Sequence, residues 1–305
     1  MYSNNYSLSS QVQEWLRENI NFNKSVDQGI PCDGATSSDV FLITLKSDNN
    51  KKYILRLFTN KNWLNDEPDL AQHEAHVLQL IDNHDIVSPK LIAADFTGEE
   101  CGVPAILMTF LQGKIDIMPK DMNLWLNEMA KTLVDIHNID HKEFKWRYKS
   151  WTNSDNLKPP SWSDKKDLWK RAIEIIHSGQ PEYKDTFLHR DYHQTNFLWQ
   201  NGGISGVVDW VNACVGPASV DLAHCRTNLV YMYGPDIADR FLQAYLEISN
   251  DKNRYHPYWD LDEILGNLPQ PTFYNPWKQF GIPVIEQEVL RQRLEEHLER
   301  VMLRF

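Results

Sequence analysis

The chain has 305 residues, a formal net charge of −11, and 42% hydrophobic against 24% charged residues. That is globular composition with length enough for two lobes, which excludes general disorder, and the acidic balance excludes nucleic acid as the expected partner. No apolar run comes near the roughly 18 residues of a membrane span. The opening MYSNNYSLSSQVQEW lacks a basic end followed by an apolar stretch, so a cytoplasmic protein with no membrane contact is expected.

Residues 8–20 predict a polar helix. Residues 39–46 (DVFLITLK) and 52–58 (KYILRLF) predict two strands, and the SDNNK between them has turn composition, so the pair reads as a hairpin. Residues 67–82 predict a helix, with Leu70, His73, Val77, Leu78 and Ile81 on its apolar stripe. Residues 90–95 and 104–110 are further strands. Strand, strand, helix, strand, strand implies a small antiparallel sheet carrying one helix.

Beyond Leu111-Gln112-Gly113 the pattern is mostly helical, over 122–138, 164–178, 219–233, 236–249 and 285–303. Two short strands, 195–200 and 204–209, are split by the turn Asn201-Gly202-Gly203. The expected class is α+β, with an N-terminal lobe at residues 1–111 and a C-terminal lobe at 112–305. The cysteines Cys32, Cys101, Cys214 and Cys225 form no CxxC pair and suggest neither a metal site nor a disulfide framework.

The chemistry concentrates in residues 187–222, FLHRDYHQTNFLWQNGGISGVVDWVNACVGPASVDL. His189 and Asp191 are followed by Asn196, and Asp209 ends the apolar run GVVD. Phosphoryl transfer from a nucleotide needs a carboxylate near the attacking hydroxyl, oxygen ligands for magnesium and positive charge on the phosphates. Asp191, Asn196 and Asp209 are the hard-oxygen ligand types that Mg²⁺ takes. His73 and His76 lie three apart on a predicted helix but lack a third ligand. His137 reads as a packing or helix-end histidine.

This segment closely resembles the catalytic core of the aminoglycoside phosphotransferase and choline-kinase-like family. HRDYHQTNFLW is similar to that family's HGDLHPGNVL, and VVDWVNACVGPASVDLA to its IDWE-x-GxGDPxxDLA. The resemblance implies a bilobal protein-kinase-like fold and a kinase that uses ATP and Mg²⁺ to phosphorylate a hydroxyl of a small molecule. By motif position it makes Asp191 the catalytic base, His189 a support of the catalytic loop, and Asn196 and Asp209 the magnesium ligands. Asp221, in VDLA, is either a brace from the start of a helix or an ordinary N-cap. The sequence departs from the family at Arg190, where glycine is usual, and at Gln194-Thr195, where Pro-Gly is usual.

In the N-terminal lobe the resemblance assigns the nucleotide's cover to the turn Gly34-Ala35-Thr36-Ser37-Ser38, with Gly34, Ser37 and Ser38 over the phosphates. Arg56 stands where kinases of this fold carry a phosphate-binding lysine, and Glu74 is its expected ion-pair partner. Residues 108–111 fall at the inter-lobe hinge, with Thr109 and Leu111 offering backbone groups to adenine.

The acceptor side is less legible. Asp236, Asp239, Asp251, Asp260, Asp262 and Glu263, beside the aromatics Tyr255, Tyr258 and Trp259, predict a cationic acceptor if they face the site. Other acceptor classes share the same core: a macrolide, choline or ethanolamine, homoserine or a sugar. A protein kinase is disfavoured by Asp209-Trp210-Val211 in place of DFG. A non-catalytic nucleotide-binding module is opposed by the joint presence of Asp191, Asn196 and Asp209.

Overall fold

The computed structural model describes residues 8–20, 29–32, 38–45 and 51–305. The chain divides into two compact units, Met1–Gly113 with Ser205–Val211, and Lys114–Ile204 with Asn212–Phe305.

In the first unit, Ser9 accepts the N–H of Val12 and so starts α1 (Ser10–Asn19), which buries Val12, Trp15 and Leu16. The strands are β1 (Ile30–Pro31), β2 (Asp39–Leu45) and β3 (Lys51–Leu57). Alternation puts Phe41, Ile43 and Leu45 on one face of β2 and Tyr53 and Leu55 on the facing side of β3, with Phe41 opposite Leu55 and Ile43 opposite Tyr53. That face and the apolar side of α1 form one core, to which Leu107 and Cys101 also contribute.

The helix expected over 67–82 is α3 (Leu70–Ile81), starting three residues later than expected, and a short helix that the sequence reading lacked, α2 (Lys61–Asp66), precedes it. Pro68 is the reason for the late start. A residue before proline is driven out of the helical region, and Glu67 sits at φ −134°, ψ 83°. Asn60 caps α2 by accepting from the N–H groups of Asn62 and Trp63. β4 (Leu91–Asp95) and β5 (Ala105–Thr109) complete an antiparallel sheet of order β1-β2-β3-β5-β4.

The second unit holds α4 (Met122–His137), α5 (Lys166–His177), β6 (Asp185–Leu188) and β7 (Phe197–Gln200). The turn at Asn201-Gly202, both left-handed, leads into β8 (Gly203–Val207). β9 (Cys214–Pro217), α6 (Ser219–Tyr233), α7 (Pro235–Ser249), α8 (Tyr258–Gly266) and α9 (Gln287–Met302) follow. β6 pairs antiparallel with β9, a pairing the sequence reading lacked because both strands are four residues long.

Within β8 the chain passes to the first unit, whereas the sequence reading kept all of 112–305 together. Val207 donates to the Val87 carbonyl at 2.9 Å and Ser205 to that of Gln112 at 2.7 Å. At Gly206 a Cβ would meet the tip of the Leu111 side chain at 2.5 Å, so a larger residue here would displace that side chain. The consequence is that Asp209 is set among the residues of the N-terminal sheet.

Candidate active site

The segment His189–Asn196 follows β6 and is anchored from α6. Asp221, fully buried, accepts the N–H of His189 at 2.9 Å and of Arg190 at 2.7 Å, and its Oδ2 lies 3.2 Å from His137 Nε2. Burial alone would raise the Asp221 carboxyl, but His137 and His189 outweigh it and hold it low. Asp221 is therefore a brace and not an N-cap, and His137 is the packed histidine expected, with Tyr245 on its other nitrogen at 2.7 Å.

Arg190 adopts φ 71°, a left-handed conformation that explains why glycine is usual there. Its own N–H makes one of the two bonds to Asp221. Its guanidinium lies over the Trp151 ring at 3.4 Å and near the Tyr148 ring at 4.9 Å.

Asp191 is the focus of this loop. His224 Nε2 lies 3.1 Å and His193 Nε2 3.4 Å from its Oδ1. Glu263 takes the other nitrogen of His224 at 3.0 Å. Burial would raise the Asp191 carboxyl, yet His193 and His224 keep it well below the usual carboxylate range. Burial would lower His224, but Glu263 and Asp191 lift it to about 10, which makes it a cation at neutral pH. The result is an ionised carboxylate on a braced loop. Asn196 donates through Nδ2 to the Asp191 carbonyl at 2.8 Å, which turns its own Oδ1 away from that carboxylate.

A second cluster lies in the first unit. Arg56, in mid-β3, donates through one nitrogen to both Glu74 oxygens at 2.9 Å and through the other to Asp209 Oδ1 at 2.8 Å. Burial would lower the Arg56 guanidinium, but Asp209 and Glu74 hold it above its ordinary range. Burial pushes the Glu74 carboxyl up to about 7 against the pull of Arg56. Asp209 is left-handed, at φ 68°. Its second carboxylate oxygen lies outside the pair with Arg56.

Asp209 in the first unit offers a carboxylate oxygen and Asn196 in the second an amide oxygen, each a donor type that a hard cation takes. His189 is fully buried, with its ring edge-on to Tyr192. Gly34 and Ser37 lie outside the described residues, and Ser38 is half-buried just before β2. Thr109 commits its N–H and its hydroxyl to Lys90, which removes that N–H from any contact with adenine. Leu111 lies beyond the end of β5 with its side chain against Gly206.

The sequence model of the phosphotransferase enzyme family matches residues 29–258. The chain belongs to the phosphotransferase enzyme family. Solved structures share its protein-kinase-like fold at low identity. A thermostable mutant of aminoglycoside phosphotransferase APH(4)-Ia, in ternary complex with AMP-PNP and hygromycin B, is 15% identical with TM-score 0.61, over 95% of this chain and 98% of that one. Amicoumacin kinase hAmiN, in complex with AMP-PNP, Ca²⁺ and Ami, is 13% identical with TM-score 0.58, over 88% of each chain. The macrolide 2′-phosphotransferase MphH from Brachybacterium faecium is 15% identical with TM-score 0.53, over 84% of this chain and 90% of that one.

For this family member the acceptor-side expectation is cut back. Asp260 is buried against Arg226. Asp239 meets Arg226, Arg300 and Arg304, and Asp236 meets Arg300. Asp251 caps the turn at Lys252–Arg254. Of the six carboxylates, Glu263 alone bonds the histidine on Asp191, and its neighbour Asp262 accepts from Tyr148 and Ser150. Tyr255, Tyr258 and Trp259 are packing residues, with Tyr255 bonded to Asp260 and Tyr258 against Trp259. The sequence reading missed His193 and His224, although His224 directly follows the VDLA motif. His73 and His76 gain no third ligand; among the described residues the metal-capable group is Asp191, His193 and His224.

Proposed function

We propose that this phosphotransferase is a kinase that transfers the γ-phosphoryl group of ATP to a hydroxyl of a small molecule. The observation that carries the reading is the ionised Asp191 carboxylate on a loop fixed by Asp221. Asp191 accepts the proton of the acceptor hydroxyl as its oxygen bonds to the γ-phosphorus and the bond to the ADP oxygen breaks. The paired cation His224 makes Asp191 a weak base, so its main work is orientation. That suits a loose transition state, which asks little of a base. Arg56 contacts phosphate oxygens, with Glu74 fixing its fork.

Asn196 and Asp209 would hold Mg²⁺, which when bound neutralises charge on the phosphates. The acceptor is an aminoglycoside-like polyol or a related natural product. Support comes from the acceptors bound by relatives of the same fold and from Trp151, 55% exposed and edge-on to His224, which offers a flat surface to a sugar ring. An amine on the acceptor would answer to Asp262 and Glu263.

The test is an ADP-release assay with Mg·ATP over a panel of amino sugars, macrolides, amino alcohols and sugars. ADP release that depends on one acceptor class is expected. ATP binding with no acceptor-dependent release from any class would overturn the catalytic reading in favour of a nucleotide-binding module.

A further inference from the structure

The site around Asp191 contains more nitrogen than phosphoryl transfer requires. Two imidazoles aim their Nε2 atoms at one carboxylate oxygen, at 3.1 and 3.4 Å. A tetrahedral zinc site, with Zn–N and Zn–O near 2.0–2.2 Å, sets its ligand atoms roughly 3.3 Å apart. The two measured edges match that spacing, and the ligand atoms of Asp191, His193 and His224 all lie within 4.8 Å of one another.

The surroundings are also those of a metal site. Glu263 takes His224 Nδ1 at 3.0 Å, the carboxylate–histidine arrangement that fixes the tautomer of a ligating imidazole and leaves Nε2 for the metal. His193 Nδ1 accepts from the Thr195 N–H at 3.4 Å and lies 2.9 Å from Thr195 Oγ1, so this ring is also held from its far side, with its proton on Nε2. Both rings are held by groups on their far sides, and their Nε2 edges converge on Asp191, with Asn196 Nδ2 3.2 Å from the one and Asn228 Nδ2 3.4 Å from the other.

We propose that Asp191, His193 and His224 form a binding site for Zn²⁺, adjoining Asn196, whose Nδ2 lies 3.2 Å from His193 Nε2, with Glu263 as its outer support. Imidazole nitrogen selects zinc over magnesium, which prefers oxygen and gives up its waters reluctantly. Three protein ligands leave a fourth position open to water. Binding displaces the Nε2 protons of His224 and His193 to solvent, and their contacts with Asp191 give way to three metal–ligand bonds. The occupied site ties up the Asp191 oxygen, so zinc inhibits turnover; this consequence, unlike the binding itself, rests on Asp191 being the catalytic carboxylate.

The experiment is a Co²⁺ titration of the metal-stripped, nucleotide-free full chain, read by the visible absorption of four-coordinate cobalt and followed by displacement with Zn²⁺. One equivalent per chain is expected, displaced by Zn²⁺. Glu263→Gln should weaken binding about 10–100-fold, as loss of outer-shell partners does. His224→Asn should weaken it further, and the exposed His76→Asn should leave it unchanged. Thermal unfolding of each variant checks folding; if His224→Asn does not fold, Glu263→Gln and His193→Gln carry the test. No cobalt spectrum, or binding indifferent to all three site variants, overturns the site. Zinc binding with this variant pattern but undiminished phosphoryl transfer upholds the site and counts against Asp191 as the catalytic carboxylate.

Discussion

Replacing Arg56 tests the cluster of the N-terminal sheet. Its guanidinium makes charge-assisted bonds to both oxygens of Glu74 and to Asp209, at 2.8–2.9 Å, and Glu74 is almost wholly buried. Arg56→Ala strands that carboxylate, and removal of one partner of a buried pair costs about 3–5 kcal/mol. Arg56→Lys keeps the charge but not the fork. A bond to a charged group is worth about 1.5–3 kcal/mol, so loss of one or two, partly regained by the ammonium, predicts a cost of about 1–3 kcal/mol. The loss should depend on pH. Burial already raises the folded-state value of Glu74 to about 7 from 4.5, so its contribution favours folding in acid and is lost as pH rises through 7. Without Arg56 that value goes higher still. The gap between wild type and Arg56→Ala should therefore be small in acid and widen above about pH 7. Denaturant unfolding midpoints across pH measure it. A loss under about 1 kcal/mol at pH 8, or one that does not vary with pH, would refute the reasoning.

The other predictions concern the loop and the metal ligands. Asp221→Ala leaves two buried N–H groups and His137 without their acceptor, so unfolding should show a loss of about 3–5 kcal/mol, and a loss below 1 would contradict the brace. Arg190→Ala should cost about 1–2 kcal/mol by removing the stack on Trp151 while keeping the left-handed strain; Arg190→Gly should recover part of this, and a glycine variant less stable than the alanine one would contradict the account. Asp209→Asn should lose most of the Mg²⁺-dependent gain in ATP affinity, measured by titration with and without the metal, because a full charge leaves a hard-cation site.

The hairpin of β2 and β3 was legible because its apolar alternation is unbroken from Phe41 to Leu45 and its partner strand repeats it. The candidate loop stood out because Asp191, Asn196 and Asp209 fall within one short stretch, and the Arg56–Glu74 pair was legible because their elements occur in a recognisable order. Proline at 68 delays the start of the expected helix to Leu70, and its effect on Glu67 was readable but not weighed. His224 and Glu263 were not legible as site residues, since only the packing of α6 and α8 brings them to Asp191. The acidic cluster misled for a related reason. Sequence gives the sign of Asp236, Asp239 and Asp260 but not their partners, and Arg226, Arg300 and Arg304 neutralise them.

The most direct test of the central claim is a paired measurement on Asp191→Ala of steady-state turnover with the acceptor found by the panel and of nucleotide affinity by titration. His224 keeps its bond to Glu263 in this variant, so the site retains its frame. A positioned base contributes about 10²–10⁴ in rate, so turnover should fall by that factor while nucleotide affinity holds. Turnover near the wild-type rate would contradict the assignment of Asp191 and, with it, this account of the site.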